Sequence, residues 1–138
     1  FIDLEITEKM LGRDAVAGYR AMDALKALGV SLIVDDFGTG ACSLAQFAHS
    51  PVDGIKVDIS LVNGVETCER DLAACAAAIS SAHALGLTAV AEGVETTGQA
   101  DLLRQHGCDF LQGFFFSRPL TAAQMREFLA NEQKGAAS

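Results

Sequence analysis

Val30-Ser31-Leu32-Ile33-Val34-Asp35-Asp36 decides the fold. The apolar run does not alternate with polar residues, so it does not describe a strand with one wet face. It reads instead as a strand buried on both faces, and such strands belong to parallel sheets flanked by helices. Upstream, Val16, Tyr19, Met22, Leu25 and Leu28 recur at helical spacing across Ala15–Leu28, and Gly29 supplies a C-terminal stop. Similar short runs stand at Phe1–Ile6, Gly54–Asp58, Leu87–Ala91 and Asp109–Leu111. Helical stretches separate them: Asp71–Leu85 before Gly86, and Thr97–Gln105 before Gly107. A last helix, Thr121–Asn131, opens with Thr121 as N-cap and leaves Glu132–Ser138 as a polar tail expected to fray. Strand and helix in repeated alternation mean βα units with right-handed crossovers.

No linker, repeat or low-complexity tract interrupts this pattern, so residues 1–131 read as one body and 132–138 as its tail. At 138 residues the chain is long enough for a real core. It falls short of the roughly 250 that a closed eight-stranded α/β barrel needs. Either the sheet is small and open, or it is the later part of a barrel. Opening at Phe1, directly inside a strand, reads as a piece of something longer.

Eighteen Asp and Glu against ten Lys and Arg leave a net charge of −8. That excludes a nucleic-acid backbone or an anionic membrane as the main partner. A phosphorylated ligand stays possible when divalent metal stands between. No apolar run approaches the ~20 residues of a membrane span. Cys42, Cys68, Cys75 and Cys108 form no C-x-x-C pair. Cys68 and Cys75 are separated by about 10.5 Å of helical rise, too far to bridge. Reduced thiols in a cytoplasmic protein are expected.

The chemistry-bearing residues fall beside the strands. Glu5 and Glu8 lie at and just after the end of the first strand, Asp35 and Asp36 end the second, and Lys56 and Asp58 lie in the third. Glu92 and Glu95 end the fourth, and Gln112 ends the fifth. In parallel α/β folds the C-terminal strand ends share one rim, where active sites are built. Helix capping accounts for one such carboxylate but not for five consecutive units. Converging carboxylates without metal repel one another, whereas two hard divalent ions, Mg²⁺ or Mn²⁺, neutralise them. Two-metal sites of this kind clamp the attacking and leaving oxygens of phosphoester hydrolysis, and a lysine there can hold the water. His49, His83 and His106 fall away from the strand ends and read as surface or packing residues.

Asp36-Phe37-Gly38-Thr39-Gly40 follows a strand, and its glycines permit a mobile loop over the site. An ordinary βα turn explains the stretch equally well. Phe114-Phe115-Phe116 offers a ring for base stacking, although core packing of a strand extension suits most of the run better.

These stretches carry a resemblance. Leu4-Glu5-Ile6-Thr7-Glu8, Asp35-Asp36-Phe37-Gly38-Thr39-Gly40, Ile55-Lys56-Val57-Asp58, Ala91-Glu92-Gly93-Val94-Glu95-Thr96, and Gln112-Gly113 leading to Ser117-Arg118-Pro119-Leu120 occur in that order. Together they resemble the C-terminal portion of the EAL-domain family, phosphodiesterases that open cyclic di-GMP to linear pGpG. The resemblance implies a partial (β/α)8 barrel of TIM type, about its last five βα units, and a Mg²⁺ or Mn²⁺ two-metal site. It makes Glu5 and Asp35 ligands of the first metal, with Asp35 bridging to a second that Asp36 also holds. Lys56 would hold the water, and Glu92 would be the general base or stand beside the second metal and its water. Glu8 would anchor the Asp36–Leu44 loop and Gln112 would steady the site. Glu95, Asp58, Phe37, Gly38 and Thr39 would support loop or substrate.

The chain also departs from the family. No Glu-Ala-Leu tripeptide occurs in it, and the asparagine ligand of an earlier strand is absent too. Ala41-Cys42-Ser43 replaces a common Tyr-Ser-Ser, and Asp58-Ile59-Ser60-Leu61 replaces Asp-Arg-Ser-Phe. The expectation is therefore a cyclic di-GMP phosphodiesterase in an intact, cytoplasmic parent, to which a homodimer is open, with this portion inactive alone. The alternatives are a non-catalytic cyclic di-GMP-binding regulatory module or a truncated remnant.

Overall fold

The computed structural model describes residues 3–7, 15–37 and 48–135. Within them the order is β1 (Asp3–Thr7), α1 (Ala15–Ala27), β2 (Ser31–Phe37), β3 (Gly54–Val57), α2 (Ile59–Val62), α3 (Glu69–Ala84), β4 (Thr88–Ala91), α4 (Thr97–Gln105), β5 (Phe110–Leu111) and α5 (Ala122–Gly135). The five strands form one sheet in the order β1-β2-β3-β4-β5, and every pairing is parallel. This is the parallel α/β architecture that the strand–helix alternation predicts, and it agrees with the partial barrel that the resemblance implies.

One face of the sheet makes the core. Ile6, Leu32, Val34, Ile55, Val57, Ala89 and Ala91 pack there with Met22 of α1, Cys75, Ile79 and Ala82 of α3, and Ala100 and Leu103 of α4. Dehydrating this surface is the main force holding helices to sheet. The three helix-ending glycines behave as their sequence positions require. Gly29, Gly86 and Gly107 have φ of 80°, 73° and 83°. After each, the chain donates back into the last turn, as when Gly86 N–H reaches His83 O and Leu87 N–H reaches Ala82 O, both at 2.9 Å.

A carboxylate clamp is built twice at the opposite, N-terminal rim. Asp53, just before β3, accepts from Leu32 N–H of β2 at 2.8 Å and pairs with Lys26 at the end of α1. Asp109, just before β5, accepts from Ala89 N–H of β4 at 2.8 Å and pairs with His83 at the end of α3, also 2.8 Å. Each carboxylate locks a strand start to the neighbouring strand and to the helix that leads into that neighbour.

Several expectations need correction. β1 is mostly exposed, with Ile6 its one buried residue, because it is an edge strand. Leu28 lies past the end of α1 and is 79% exposed. Phe114, Phe115 and Phe116 do not pack in a core: β5 stops at Leu111, and all three rings are exposed. α5 continues to Gly135, four residues into the stretch read as tail, since Glu132, Gln133 and Lys134 are good helix formers. α3 starts at Glu69, two residues before the expected Asp71. α2, a short helix, was not foreseen. Glu8, Gly38, Thr39 and Cys42 lie outside the described residues, as does most of the Asp36–Leu44 loop.

Candidate active site

Strand register brings the polar residues together. Glu5 pairs with Ile33, Thr7 with Asp35, and Lys56 with Val90. Val34 faces Ile55 while Phe37 faces Val57, so Asp35 and Asp36 together oppose the single residue Lys56. This is a two-against-one β-bulge, a device that interrupts side-chain alternation beside functional sites. Consecutive aspartates are thereby accommodated at the rim of one strand. β2 does not end at them but runs on to Phe37, whose side chain packs against the core.

Lys56 is the centre. It is 3% exposed. Its Nζ donates to Glu5 Oε1 at 2.9 Å and lies 3.2 Å from Glu92 Oε1 and 3.8 Å from Asp35 Oδ1. Three carboxylates from β1, β2 and the end of β4 thus converge on one ammonium carried by β3. Burial pulls this ammonium toward deprotonation, but hydrogen bonds and attraction from Glu5 and Glu92 outweigh it and raise its pKa above the ordinary lysine value. Lys56 is consequently a fixed donor rather than a proton acceptor.

The remaining sequence candidates take different places. Asp58 is not within β3: it is the N-cap of α2, its carboxylate accepting from Ser60 N–H at 2.8 Å. Glu5 lies within β1 rather than at its end, and Glu92, Glu95 and Gln112 follow strands that close at Ala91 and Leu111. Glu92, Glu95 and Gln112 border a cavity of about 200 Å³, closed on its apolar side by Ile59 and Phe114. Gln112 is exposed, and its backbone ties the rim together: its N–H donates to Ala91 O at 2.8 Å and its carbonyl accepts from Val94 N–H at 3.0 Å. Gly113 allows this approach, since a Cβ there would lie 2.1 Å from Val94 O. Ile59 was overlooked as a cavity wall because it lies in a helix the sequence did not signal.

The donors at the rim are carboxylate oxygens, the chemistry that hard divalent cations take. Among the described residues no three His, Cys, Asp or Glu are arranged around a common metal position, because Lys56 occupies the point on which the carboxylates converge. The residues fit the chemistry of the metal, and only part of its ligand shell.

A family model described as the EAL domain matches residues 1–119. The chain belongs to the EAL domain family. Cyclic di-GMP phosphodiesterase NbdA of Pseudomonas aeruginosa is 43% identical to this EAL chain over 129 residues, 94% of the chain and 16% of the relative. Oxygen sensor protein DosP of Escherichia coli is 41% identical over 130 residues, again 94% of the chain and 16% of the relative. Among solved structures, the EAL domain of Mycobacterium smegmatis DcpA superposes with a TM-score of 0.87 at 40% identity, covering 94% of this chain and 58% of that one. Klebsiella pneumoniae BlrP1, solved as a manganese and cyclic di-GMP complex, superposes with a TM-score of 0.76 at 35% identity, covering 85% and 30%. The EAL chain therefore spans about a sixth of the length of the curated relatives it matches. No helix among the described residues is long and apolar enough to cross a membrane.

Proposed function

We propose that this EAL chain carries the lysine, the general base and part of the carboxylate set of a phosphodiesterase that hydrolyses cyclic di-GMP to linear pGpG. The observation that carries the reading is the convergence of Glu5, Asp35 and Glu92 on Lys56 Nζ at one strand-end rim. The relative NbdA, a cyclic di-GMP phosphodiesterase, and the cyclic di-GMP complex of BlrP1 support the same substrate. Glu5, Asp35 and Asp36 would hold Mg²⁺ or Mn²⁺, which when bound neutralises phosphodiester charge and lowers the pKa of water.

The chain's own residues then divide the work. Lys56, held protonated by its neighbours, donates to the attacking water oxygen and later meets the charge developing on phosphorus. Glu92, at the edge of the cavity, accepts the water proton. In-line attack forms a P–O bond to water and breaks the bond from phosphorus to the ribose 3′ oxygen, which takes a proton from solvent. Upstream strands of a parent protein supply the missing ligands, so this portion alone is inactive. Reduced, buried Cys75 and Cys108 suit a cytoplasmic parent.

The test is incubation of the parent with cyclic di-GMP and Mn²⁺, with pGpG followed by chromatography. The parent should turn over, and Glu92→Gln should lower kcat by about 10²–10⁴. Tight binding of intact ligand with no pGpG would select a regulatory receptor instead. Full turnover by residues 1–138 alone would overturn the dependence on upstream strands.

A further inference from the structure

The segment that follows Lys56 grips the segment that follows Glu92 at two points outside the sheet. The first is apolar. Ile59 of α2 lies so close over Gly93 that a Cβ on Gly93 would stand 2.2 Å from Ile59 Cγ1. The second is polar. Glu66, in the turn between α2 and α3, accepts from Thr96 Oγ1 at 2.6 Å. Its other oxygen lies over the first turn of α4, where a Cβ on Gly98 would stand 1.9 Å away.

Thr96 is the N-cap of α4, and its hydroxyl works in both directions. It accepts from Gln99 N–H at 3.0 Å while donating to Glu66, which leaves it one orientation. Gln99, 5% exposed, answers by accepting from Glu95 N–H at 2.7 Å and Thr96 N–H at 3.1 Å. Midway along the segment, fully buried Val94 is fixed by Gln112 O and Phe115 N–H, each at 3.0 Å. Glu92 begins this same short segment, 3.2 Å from Lys56 Nζ.

We propose that Glu66 is a positioning residue for Glu92. Acting through Thr96, it sets the path of the Glu92–Thr96 segment relative to the strand that carries Lys56. A short hydroxyl-to-carboxylate hydrogen bond is strong for its class, and small displacements of a base are costly in rate. The consequence for turnover rests on the phosphodiesterase reading; the tether itself does not.

The experiment uses the parent protein with Glu66→Ala, Glu66→Gln and Thr96→Val, assayed with cyclic di-GMP and Mn²⁺ and followed in parallel by amide hydrogen exchange without ligand. Glu66→Ala should lower kcat by about 3–10-fold with KM within about twofold. Glu66→Gln, which keeps an acceptor for Thr96 Oγ1, should restore most of the rate. Glu66→Ala combined with Thr96→Val should be no worse than the poorer single variant. Exchange at Glu95, Thr96 and Gln99 should quicken in Glu66→Ala while Leu103, later in α4, stays unchanged. Unchanged exchange at those amides, or a Glu66→Gln rate as low as that of Glu66→Ala, overturns the proposal. A wild-type parent that makes no pGpG counts against the phosphodiesterase reading, and the exchange pattern still decides the tether.

Discussion

Lys56 Nζ lies 2.9 Å from Glu5 Oε1 although the two residues are 51 positions apart and their strands are not neighbours. The lysine on β3 reaches past β2 to the carboxylate on β1. Glu92 approaches the same nitrogen from the end of β4.

Replacing this nitrogen removes the cation on which the three carboxylates converge. Lys56→Met in the parent should lower kcat by about 10²–10³, the loss typical for a preorganised electrostatic group. Steady-state assay with cyclic di-GMP and Mn²⁺ measures it. A loss below about threefold would show that the lysine is structural only.

Asp109 links stability to pH. Its pKa lies below the usual carboxylate value, first because Ala89 N–H donates to it and then because of His83. A lowered folded-state pKa means stability that is present above the unfolded value, about 3.9, and is lost as pH falls through the folded value. Asp109 is partly exposed, so Asp109→Asn should cost only about 0.5–1 kcal/mol at pH 7. Urea melts should show that difference closing as pH falls below the ordinary carboxylate range. A difference that persists in acid would assign the effect to packing.

Cys75 and Cys108 should be inert in the folded protein. Burial pushes each thiol up to about 11. At pH 8 about one thiol in a thousand is then ionised, and the thiolate is the reactive form. Iodoacetamide labelling read by peptide mass spectrometry should proceed at these two positions at least about 100-fold faster in denaturant. Equal rates in the two conditions would contradict the burial.

Gly113→Ala tests the rim backbone. A methyl group there meets the nitrogen, carbonyl carbon and oxygen of Val94, none of which is a flexible side-chain end. The substitution should destabilise the fold by about 2 kcal/mol or more and loosen the segment that bears Glu92. Thermal melts and exchange at Val94 N–H report both effects.

The order of elements was legible in local sequence. Non-alternating runs such as Val30–Val34 and the glycines that close α1, α3 and α4 act within a few residues, so their spacing states their outcome. The gathering of carboxylates at one rim was legible for the same reason, because parallel strands all end on the same side. Local reading failed where a residue has two locally equivalent uses. Asp58 reads as part of β3, and the structure makes it the N-cap of α2. Phe114–Phe116 reads as core or surface, and the end of β5 at Leu111 leaves it on the surface.

By itself, then, the sequence determined the parallel α/β class, the family and the residues that gather at the C-terminal rim. Tertiary structure decided which of them touch. The bulge that sets Asp35 and Asp36 against Lys56, the reach of Lys56 to Glu5, and the tie from Glu66 to Thr96 all depend on register and packing between segments far apart in the chain. Side-chain spacing along one element carries no information about those offsets. They follow from how the buried faces of five strands and their helices settle against one another.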